Sequence, residues 1–221
     1  MMGSMYGRAG LIRFALIAVL MASVACTGGS DPVPNLSTAV NSTPTGSSSP
    51  PVSSSAPPSS PYPADVPLTG HNVKPGEKPP LYPIAAKVKS QAGANAFAEF
   101  FMRTLDWAYA TTNPSYMKHY YASSCGLCSG IATGITKTAA QHHWYVGGRL
   151  TIRSVSSSSI AQITAAADNC SSITTDITSE SVVDLTGKIF DGEGAHLNLA
   201  WKLCTKWQNG GQQVTYFAGL S

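Results

Sequence analysis

The feature that most constrains the fold is a change in the spacing of apolar residues near Gly147-Gly148. Before this point apolar residues recur every three or four positions, which is typical of amphipathic helices. After it they alternate with polar residues, which is typical of strands with one buried face. Helices followed by an antiparallel meander with one apolar face predict an α+β domain, with the N-terminal helices packed on that face of a curved sheet.

Three helices are predicted before the change. The first covers residues 92–110, the second begins at Asn113-Pro114 as cap and first turn, and the third follows after about ten residues. The apolar stripe of the first helix is Ala94, Phe97, Phe101, Leu105 and Ala108. That of the third is Leu127, Ile131, Ile135 and Ala139.

Several alternating segments follow the change, and the last of them predicts a hairpin. The alternating apolar positions are Leu150 and Ile152; Ala161, Ile163, Ala165 and Ala167; Ile173 and Ile177; and Leu197, Leu199, Trp201 and Leu203. Asn209-Gly210 is typical of a two-residue hairpin turn. With this turn, Leu203 is expected opposite Tyr216 and Trp201 opposite Ala218.

Residues 1–25 are predicted to be a lipoprotein signal peptide. Arg8 and Arg13 precede an apolar run over residues 14–22, which is too short to span a bilayer. The run leads through small residues to Ala25-Cys26, which resembles the lipobox of bacterial lipoproteins. We therefore expect a lipid on Cys26 that holds the chain at the extracytoplasmic face of the cell membrane. A plain secretory peptide is the alternative.

Residues 26–65 are predicted to be a disordered tether. Of the 37 residues from Thr27 to Pro63, 27 are Ser, Thr, Pro or Gly, and Asp31 carries the only charge. Such a segment buries too little apolar surface to fold. The α+β domain is therefore expected to cover residues 66–221. Without Arg8 and Arg13 the 14 basic residues become 12, against 11 acidic ones, so the mature chain is nearly neutral and nucleic acid is not an expected partner.

Four cysteines of the domain are predicted to form two disulfides. The favoured pairing, out of three possible ones, joins Cys125 to Cys128 and Cys170 to Cys204, in keeping with an oxidising compartment. Cys125 and Cys128 have two other interpretations: a redox pair, or a zinc site with His142. We expect no metal and no cofactor.

A family resemblance rests on Ala96-Phe97, Phe100-Phe101, the run Trp-Ala-Tyr-Ala-Thr over 107–111, and Cys125-x-x-Cys128. These residues resemble a family of actinobacterial lipoproteins that contain a domain of unknown function. The order of elements resembles the nuclear-transport-factor-2-like cone, an architecture also used by ketosteroid isomerases and SnoaL-like polyketide cyclases. The resemblance implies a cone-shaped α+β domain.

The favoured function is a non-catalytic module that binds a small apolar ligand or docks an envelope protein. The candidate pocket residues are Phe97, Phe101, Leu105, Tyr120, Leu199, Trp201 and Tyr216. The alternative is an isomerase or cyclase that uses Asp106, His119 or Tyr120 as its acid–base group. We expect Asp106 to pair with Arg103 instead. The chain contains no Gly-x-Ser-x-Gly elbow, no Gly-rich phosphate loop and no His-Glu-x-x-His, so we assign no catalytic residue.

Overall fold

The computed structural model describes residues 60–160 and 166–220. The predicted signal peptide, Cys26, the tether up to residue 59 and the alternating positions Ala161, Ile163 and Ala165 lie outside the described residues. The helices are a 3₁₀ turn at Ile84–Lys87, α1 at Gln91–Thr111, α2 at Ser115–Lys118 and α3 at Gly126–Ala140. The strands are β1 Trp144–Gly147, β2 Leu150–Ser158, β3 Asn169–Ile177, β4 Glu180–Val183, β5 Ile189–Glu193, β6 His196–Gln208 and β7 Gly211–Leu220.

The described strands form two antiparallel sheets. The large sheet has the order β2-β3-β6-β7, and the small sheet has the order β1-β4-β5. The mixed α+β class is confirmed, but the single meander is wrong, because β4 and β5 leave the large sheet and pair with β1. Gly147 and Gly148 both have positive φ, 76° and 64°, so the chain turns sharply between β1 and β2 and the two strands enter different sheets.

The first predicted helix is confirmed and covers one face of the large sheet. The Oγ of Ser90 accepts a hydrogen bond from the Gly93 N–H at 3.0 Å and so caps the helix. Phe97 and Phe101 are fully buried, and the ring of Phe101 lies 6.1 Å from that of Phe217 on β7. The predicted apolar stripe therefore forms the helical half of the core.

The β6–β7 hairpin has the predicted turn but not the predicted register. Asn209 and Gly210 have φ of 51° and 77°, as a two-residue hairpin turn requires. A bulge at Thr215 then shifts the pairing by one residue, so Leu203 lies opposite Phe217 and Trp201 opposite Gly219. Because a shift of one residue reverses the faces of a strand, Phe217 enters the core and Tyr216 pairs with Cys204 on the other face.

The prediction of disulfide bonds is confirmed. One bond joins Cys125, the cap of α3, to Cys128 in its first turn. The other joins Cys170 and Cys204, which lie directly opposite each other on β3 and β6. Cys125 and Cys128 are both buried, so the structure supports a structural bond in preference to an accessible redox pair or a pair of zinc ligands.

Residues 60–83, which we call the N-terminal strap, are irregular in conformation but fastened to the domain. The indole N–H of Trp107 donates to the Pro67 carbonyl at 3.0 Å, and the Tyr116 hydroxyl donates to the Pro80 carbonyl at 2.6 Å. The Asn72 side-chain amide donates to the Gly147 carbonyl at 2.6 Å. The strap therefore connects α1, α2 and β1.

No helix in residues 60–160 or 166–220 is both long enough and apolar enough to cross a membrane.

Candidate functional site

A cavity of about 160 Å³ lies between α1 and the two sheets, and we call it the α1 cavity. It is lined by Leu105, Asp106, Tyr109, Ile131, Gly148, Leu150, Ile177, Thr178, Glu180, Glu193, Gly194, His196, Trp201 and Phe217. Most of these side chains are apolar or aromatic, and the ionisable ones come from α1 and from the ends of β4, β5 and β6. The cavity therefore has an apolar body and a polar end.

The aromatic wall of the cavity is held by packing and one hydrogen bond. The rings of Trp201 and Phe217 stack with centroids 5.2 Å apart. The Trp201 indole N–H donates to the Thr175 Oγ1 at 2.8 Å, which fixes the orientation of the ring. The bulge at Thr215 is what brings Phe217 to this face. This wall is preorganised for contact with an apolar group.

Glu180 is the principal polar group of the cavity. Burial raises the pKa of its carboxyl to about 7, and the nearby charges of Glu193 and Asp191 act in the same direction. Within the described residues the carboxyl of Glu180 has no hydrogen bond or ion-pair partner. A Cβ at position 148 would displace the Glu180 carboxyl, and the positive φ of Gly148, 64°, favours glycine at this position.

Glu193 and His196 form the solvent-exposed rim of the polar end. The Nε2 of His196 lies 3.0 Å from a carboxylate oxygen of Glu193, and the exposed fractions of the two side chains are 41% and 67%. The rim thus carries a paired carboxylate, in contrast to the unpaired Glu180 behind it.

Asp106 lines the cavity but is fully engaged by its neighbours. Its carboxylate oxygens accept hydrogen bonds from Arg149 Nη2 at 2.8 Å and from the Leu150 backbone N–H at 2.8 Å. The predicted Asp106–Arg103 pair is wrong, because Arg103 binds Glu99 at 2.7 Å, four residues earlier on α1. An engaged carboxylate is poorly suited to remove a proton from a ligand.

Arg149 connects the strap, α1 and β2. Its guanidinium also binds Glu77 of the strap, with Nη2 2.5 Å from Oε1, and donates to the Asn72 carbonyl at 3.1 Å. These hydrogen bonds lower the pKa of the Glu77 carboxyl and raise the pKa of the Arg149 guanidinium. Because Arg149 is only 18% exposed, the network holds Asp106 at a fixed position beside the cavity.

Tyr109 lies beside the cavity, and desolvation strongly raises the pKa of its hydroxyl, so the hydroxyl stays protonated and can act as a hydrogen-bond donor. Its ring contacts that of Tyr145 at a centroid distance of 4.9 Å. Tyr145 in turn shares a hydrogen bond with Thr138 at 3.0 Å.

The structure places two of the seven predicted pocket residues, Leu105 and Trp201, in the wall of the α1 cavity. Phe97 and Phe101 are instead fully buried in the core. Tyr120 packs on Phe100 at 4.8 Å in an aromatic cluster, Leu199 is partly exposed at the start of β6, and Tyr216 lies on the opposite face of the sheet.

His119, the other predicted acid–base candidate, lies away from the cavity. Its Nε2 is 2.8 Å from the carboxylate of Asp65, and both side chains are largely exposed. The polar cavity residues that the sequence did not point to are Glu180, Glu193 and His196. No group of three or more His, Cys, Asp or Glu side chains able to hold a metal ion occurs in the described part of the chain.

The chain matches one protein family. The sequence of residues 71–210 matches a family that is described as Family of unknown function (DUF6318). No curated protein matches the chain. Among solved structures, the fold is similar to the crystal structure of the intermembrane space region of the chloroplast protein ARC6, at 13% identity and a TM-score of 0.40. The match covers 61% of this chain and 98% of that one.

Proposed function

This chain belongs to the DUF6318 family, which is of unknown function, and we propose from the geometry of the site that its domain binds a small, mainly apolar ligand in the α1 cavity. The ligand would place its apolar part against Trp201 and Phe217 and its polar end toward Glu180. This is the non-catalytic binding role predicted from the sequence, moved from the buried Phe97 and Phe101 to the cavity beside them.

The observation that carries the proposal is an apolar cavity with a few polar groups at one end, which is the usual form of a small-ligand site. A cavity of about 150 Å³ in another protein accepts benzene, so the α1 cavity at about 160 Å³ suits a ligand of roughly one aromatic ring. The apolar part of such a ligand gains about 25 cal/mol for each Å² that leaves water.

The charges at the cavity restrict the polar end of the ligand. Glu180 and Glu193 lie at that end, and Asp106 lies in the wall. Carboxylates repel an anionic group and accept hydrogen bonds from a hydroxyl or an ammonium group. A neutral donor or a cation is therefore favoured over a carboxylate.

Three probes of one size and different charge test this proposal: benzylamine, benzyl alcohol and benzoate. We expect benzylamine and benzyl alcohol to raise the melting temperature of the protein with increasing concentration, and benzoate to leave it unchanged. Equal effects of all three would contradict the role of the carboxylates. No effect of any probe would contradict the cavity proposal and favour the other predicted role, docking of an envelope protein.

A matched pair of variants locates the binding. Ile131→Phe adds volume at the cavity wall and should abolish the shift caused by benzyl alcohol. Leu68→Phe adds the same kind of side chain at a position that is 58% exposed and should leave the shift unchanged. A shift that survives in Ile131→Phe would place the probe elsewhere.

A second candidate function, an acid–base enzyme of isomerase or cyclase type, is favoured by one observation. The carboxyl of Glu180 has a pKa of about 7 inside a cavity, so it is suited to exchange a proton with a bound molecule. Asp106 and His119 are engaged by Arg149 and Asp65. Turnover of a bound compound that disappears in Glu180→Gln while binding persists would establish this function over simple binding.

We also propose that a lipid on Cys26 and the tether that leads from it to the strap hold the domain at the extracytoplasmic face of the cell membrane, with Tyr62 and Asp65 counted in the strap because they bond Pro79 and His119. The apolar run over 14–22 followed by Cys26 supports this, and the two disulfides are in keeping with an oxidising compartment. A fatty-acid probe should label the wild-type chain but not Cys26→Ala, and equal labelling would contradict lipidation. The cone-shaped architecture and the kinship with actinobacterial lipoproteins stay predictions.

A further inference from the structure

The positive charge of the chain is concentrated in one segment, which runs from the strap into α1. Residues 66–98 contain four lysines and a single carboxylate, Glu77, so their net charge is +3. The formal net charge of the whole chain is also +3, so the rest of the chain is neutral overall. A segment that holds all of the net charge indicates a surface that attracts the opposite charge.

The same segment leaves three large apolar side chains in contact with water. Leu81, Ile84 and Val88 are 60%, 83% and 57% exposed, and Ile84 is the most exposed large apolar residue of the described chain. We give the name basic turn surface to these three residues together with the exposed lysines around them, Lys78, Lys87 and Lys89. Clustered exposed apolar side chains with a polar rim are typical of protein or membrane interaction sites.

The 3₁₀ turn at Ile84–Lys87 holds this surface in place from its inner side. Ala86 is fully buried, and its carbonyl accepts a hydrogen bond from the Tyr82 hydroxyl at 3.3 Å. A 3₁₀ turn has three residues per turn, so Ile84 and Lys87 lie on the same side of it. The turn therefore presents an apolar side chain and a lysine together, on a part of the surface that protrudes into solvent.

The carboxylates around this surface are already engaged by cations. The pairs are Glu77 with Arg149, Glu99 with Arg103, and Asp168 with Lys89 at 3.9 Å. Lys78 and Lys87 are exposed and form no ion pair with another described residue. The surface therefore keeps free positive charge next to its apolar side chains.

The exposed apolar side chains of the small sheet have the opposite surroundings. Ile189 and Phe190 on β5 are followed directly by Asp191, and Leu185 follows Asp184. Carboxylates at these positions repel an anionic partner. The combination of exposed apolar side chains with unpaired lysines thus distinguishes the basic turn surface from the small sheet.

The basic turn surface also lies where the N-terminal part of the chain joins the domain. The Tyr62 hydroxyl donates to the Pro79 carbonyl at 3.0 Å, and Pro79 directly follows Lys78. The Tyr116 hydroxyl holds the next residue, Pro80, at its carbonyl. A chain that is held at its N-terminus is therefore held beside this surface.

We propose that the basic turn surface docks on a membrane of anionic phospholipids. Apolar side chains enter the boundary between headgroups and acyl chains, while lysines stay at the level of the phosphates. A bilayer yields to a protruding turn, whereas a protein partner needs a pocket of matching shape. None of these residues lines the α1 cavity, so this inference goes beyond ligand binding there. Because one acyl chain alone gives only reversible membrane binding, such a surface would supply the second contact that a stable anchor needs.

A fluorescent probe at two matched positions tests the docking. In a Cys26→Ala background of the full chain, an introduced cysteine is the only thiol outside the two disulfides. Ile84→Cys places the probe NBD on the basic turn surface, and Leu185→Cys places it at a residue of the small sheet that is 78% exposed. With vesicles of equal parts phosphatidylcholine and phosphatidylglycerol, NBD at position 84 should brighten and shift to the blue, whereas NBD at position 185 should not.

Three outcomes would overturn the proposal. Equal responses at the two positions would mean that the domain has no preferred face toward the lipid. An equal response at position 84 to vesicles of phosphatidylcholine alone would mean that the lysines have no role. No response to vesicles, together with a response to added polyglutamate, would assign the surface to an acidic protein partner instead.

A pair of charge variants measures the contribution of the lysines. A lysine near an anionic membrane surface favours binding about fivefold, so Lys78→Gln with Lys87→Gln should lower the ratio of docked to free chain about 25-fold. Lys137→Gln with Lys188→Gln removes the same charge from exposed positions on α3 and before β5 and should leave the ratio unchanged. The probe at position 84 reports this ratio in each variant. Equal losses in the two variants would show that only the total charge matters and would also overturn the proposal.

Discussion

The large and small sheets have the same antiparallel pairing but very different environments. In the large sheet, Ile173 and Leu203 are fully buried beneath α1. In the small sheet, every residue of β5 is exposed, including Ile189 at 64% and Phe190 at 50%. One sheet forms half of the core, whereas the other reaches the core through Tyr145 of β1 and Val182 of β4 and leaves β5 exposed.

The α1 cavity takes a different kind of wall from each sheet. The large sheet contributes Trp201 and Phe217, whose stacked rings are part of the packed domain. The small sheet contributes Glu180 and Glu193, at the ends of short strands. The apolar shape of the site therefore depends on the core, while the carboxyls of Glu180 and Glu193 belong to the less packed region, where local opening costs less free energy.

The largest effect is expected at Arg149, in the link between the two sheets. Replacing it with Met should destabilise the domain by about 3–5 kcal/mol, because Asp106 and Glu77 lose their partner in a partly buried site. Arg103→Met removes an exposed pair within α1 and should cost at most about 0.5 kcal/mol. Urea unfolding measures the free energy of unfolding of both variants. Equal losses of stability would show that Arg149 does not connect the strap, α1 and β2 as described.

The next largest effect concerns the disulfides. Breaking the Cys170–Cys204 bond, whose cysteines are 34 residues apart, should cost about 4 kcal/mol in the loop-entropy account. The Cys125–Cys128 bond closes a very short loop and should cost about 2 kcal/mol. Thermal unfolding of the two double alanine variants tests this order. A larger loss for Cys125 and Cys128 would mean that the corner at α3 is more important than the β3–β6 pairing.

Matched truncations in the two sheets should differ in their effect on stability. Leu203→Ala removes a fully buried side chain from β6 and should destabilise by about 3 kcal/mol. Ile189→Ala removes a side chain that is 64% exposed on β5 and should change stability by about 0.5 kcal/mol or less. Similar losses in denaturant unfolding would show that the small sheet is covered in solution, for example by a partner.

The smallest effect is a pH dependence at Glu180. Its carboxyl has a pKa of about 7 in the folded state against the usual 4.5, so between these values the folded state retains a proton that the unfolded state has lost. Stability therefore falls as pH rises from about 4.5 to 7, and is level above 7. Glu180→Gln should be more stable than the wild type by about 1–2 kcal/mol at pH 8, a value reduced for partial exposure, and equal to it at pH 4.

Glu99→Gln is the control for this pH effect, since its carboxylate lies on the exposed side of α1. Its difference from the wild type should be nearly constant from pH 5 to 8. Melting temperatures across this range decide the matter, and a Glu180→Gln difference that does not grow with pH would contradict the raised pKa.

Local patterns in the sequence predicted the elements better than their arrangement. The stripe that contains Phe97 and Phe101 and the turn at Asn209-Gly210 each depend on neighbouring residues, and both are confirmed. The bulge at Thr215 has no such local signal. Because the bulge reverses the faces of β7, Phe217 occupies the core position that the sequence predicted for Tyr216.

The candidate site was harder to predict because its polar end is assembled from distant parts of the chain. β1 is only four residues long and ends at Gly147, so the sequence does not reveal its pairing with β4 or the position of Glu180. Asp106 has a potential partner three residues away in Arg103, yet it binds Arg149, 43 residues later. The predicted pairing failed because tertiary geometry took precedence over proximity in sequence.

The N-terminal strap has a consequence for where the independently folding part of the chain begins. The first helical turn starts at Ile84, but Asn72 and Glu77 already supply bonds to Gly147 and Arg149. Proteolysis before Tyr62 is therefore expected to release an intact domain. Cleavage between Glu77 and Ile84 should instead detach the strap residues that bond Gly147 and Arg149, and so expose the core. A fragment that begins at Ile84, the first residue of regular secondary structure, would be a poor substitute for the domain. The N-terminal boundary is set by the first strap residue whose side chain bonds to the rest of the domain.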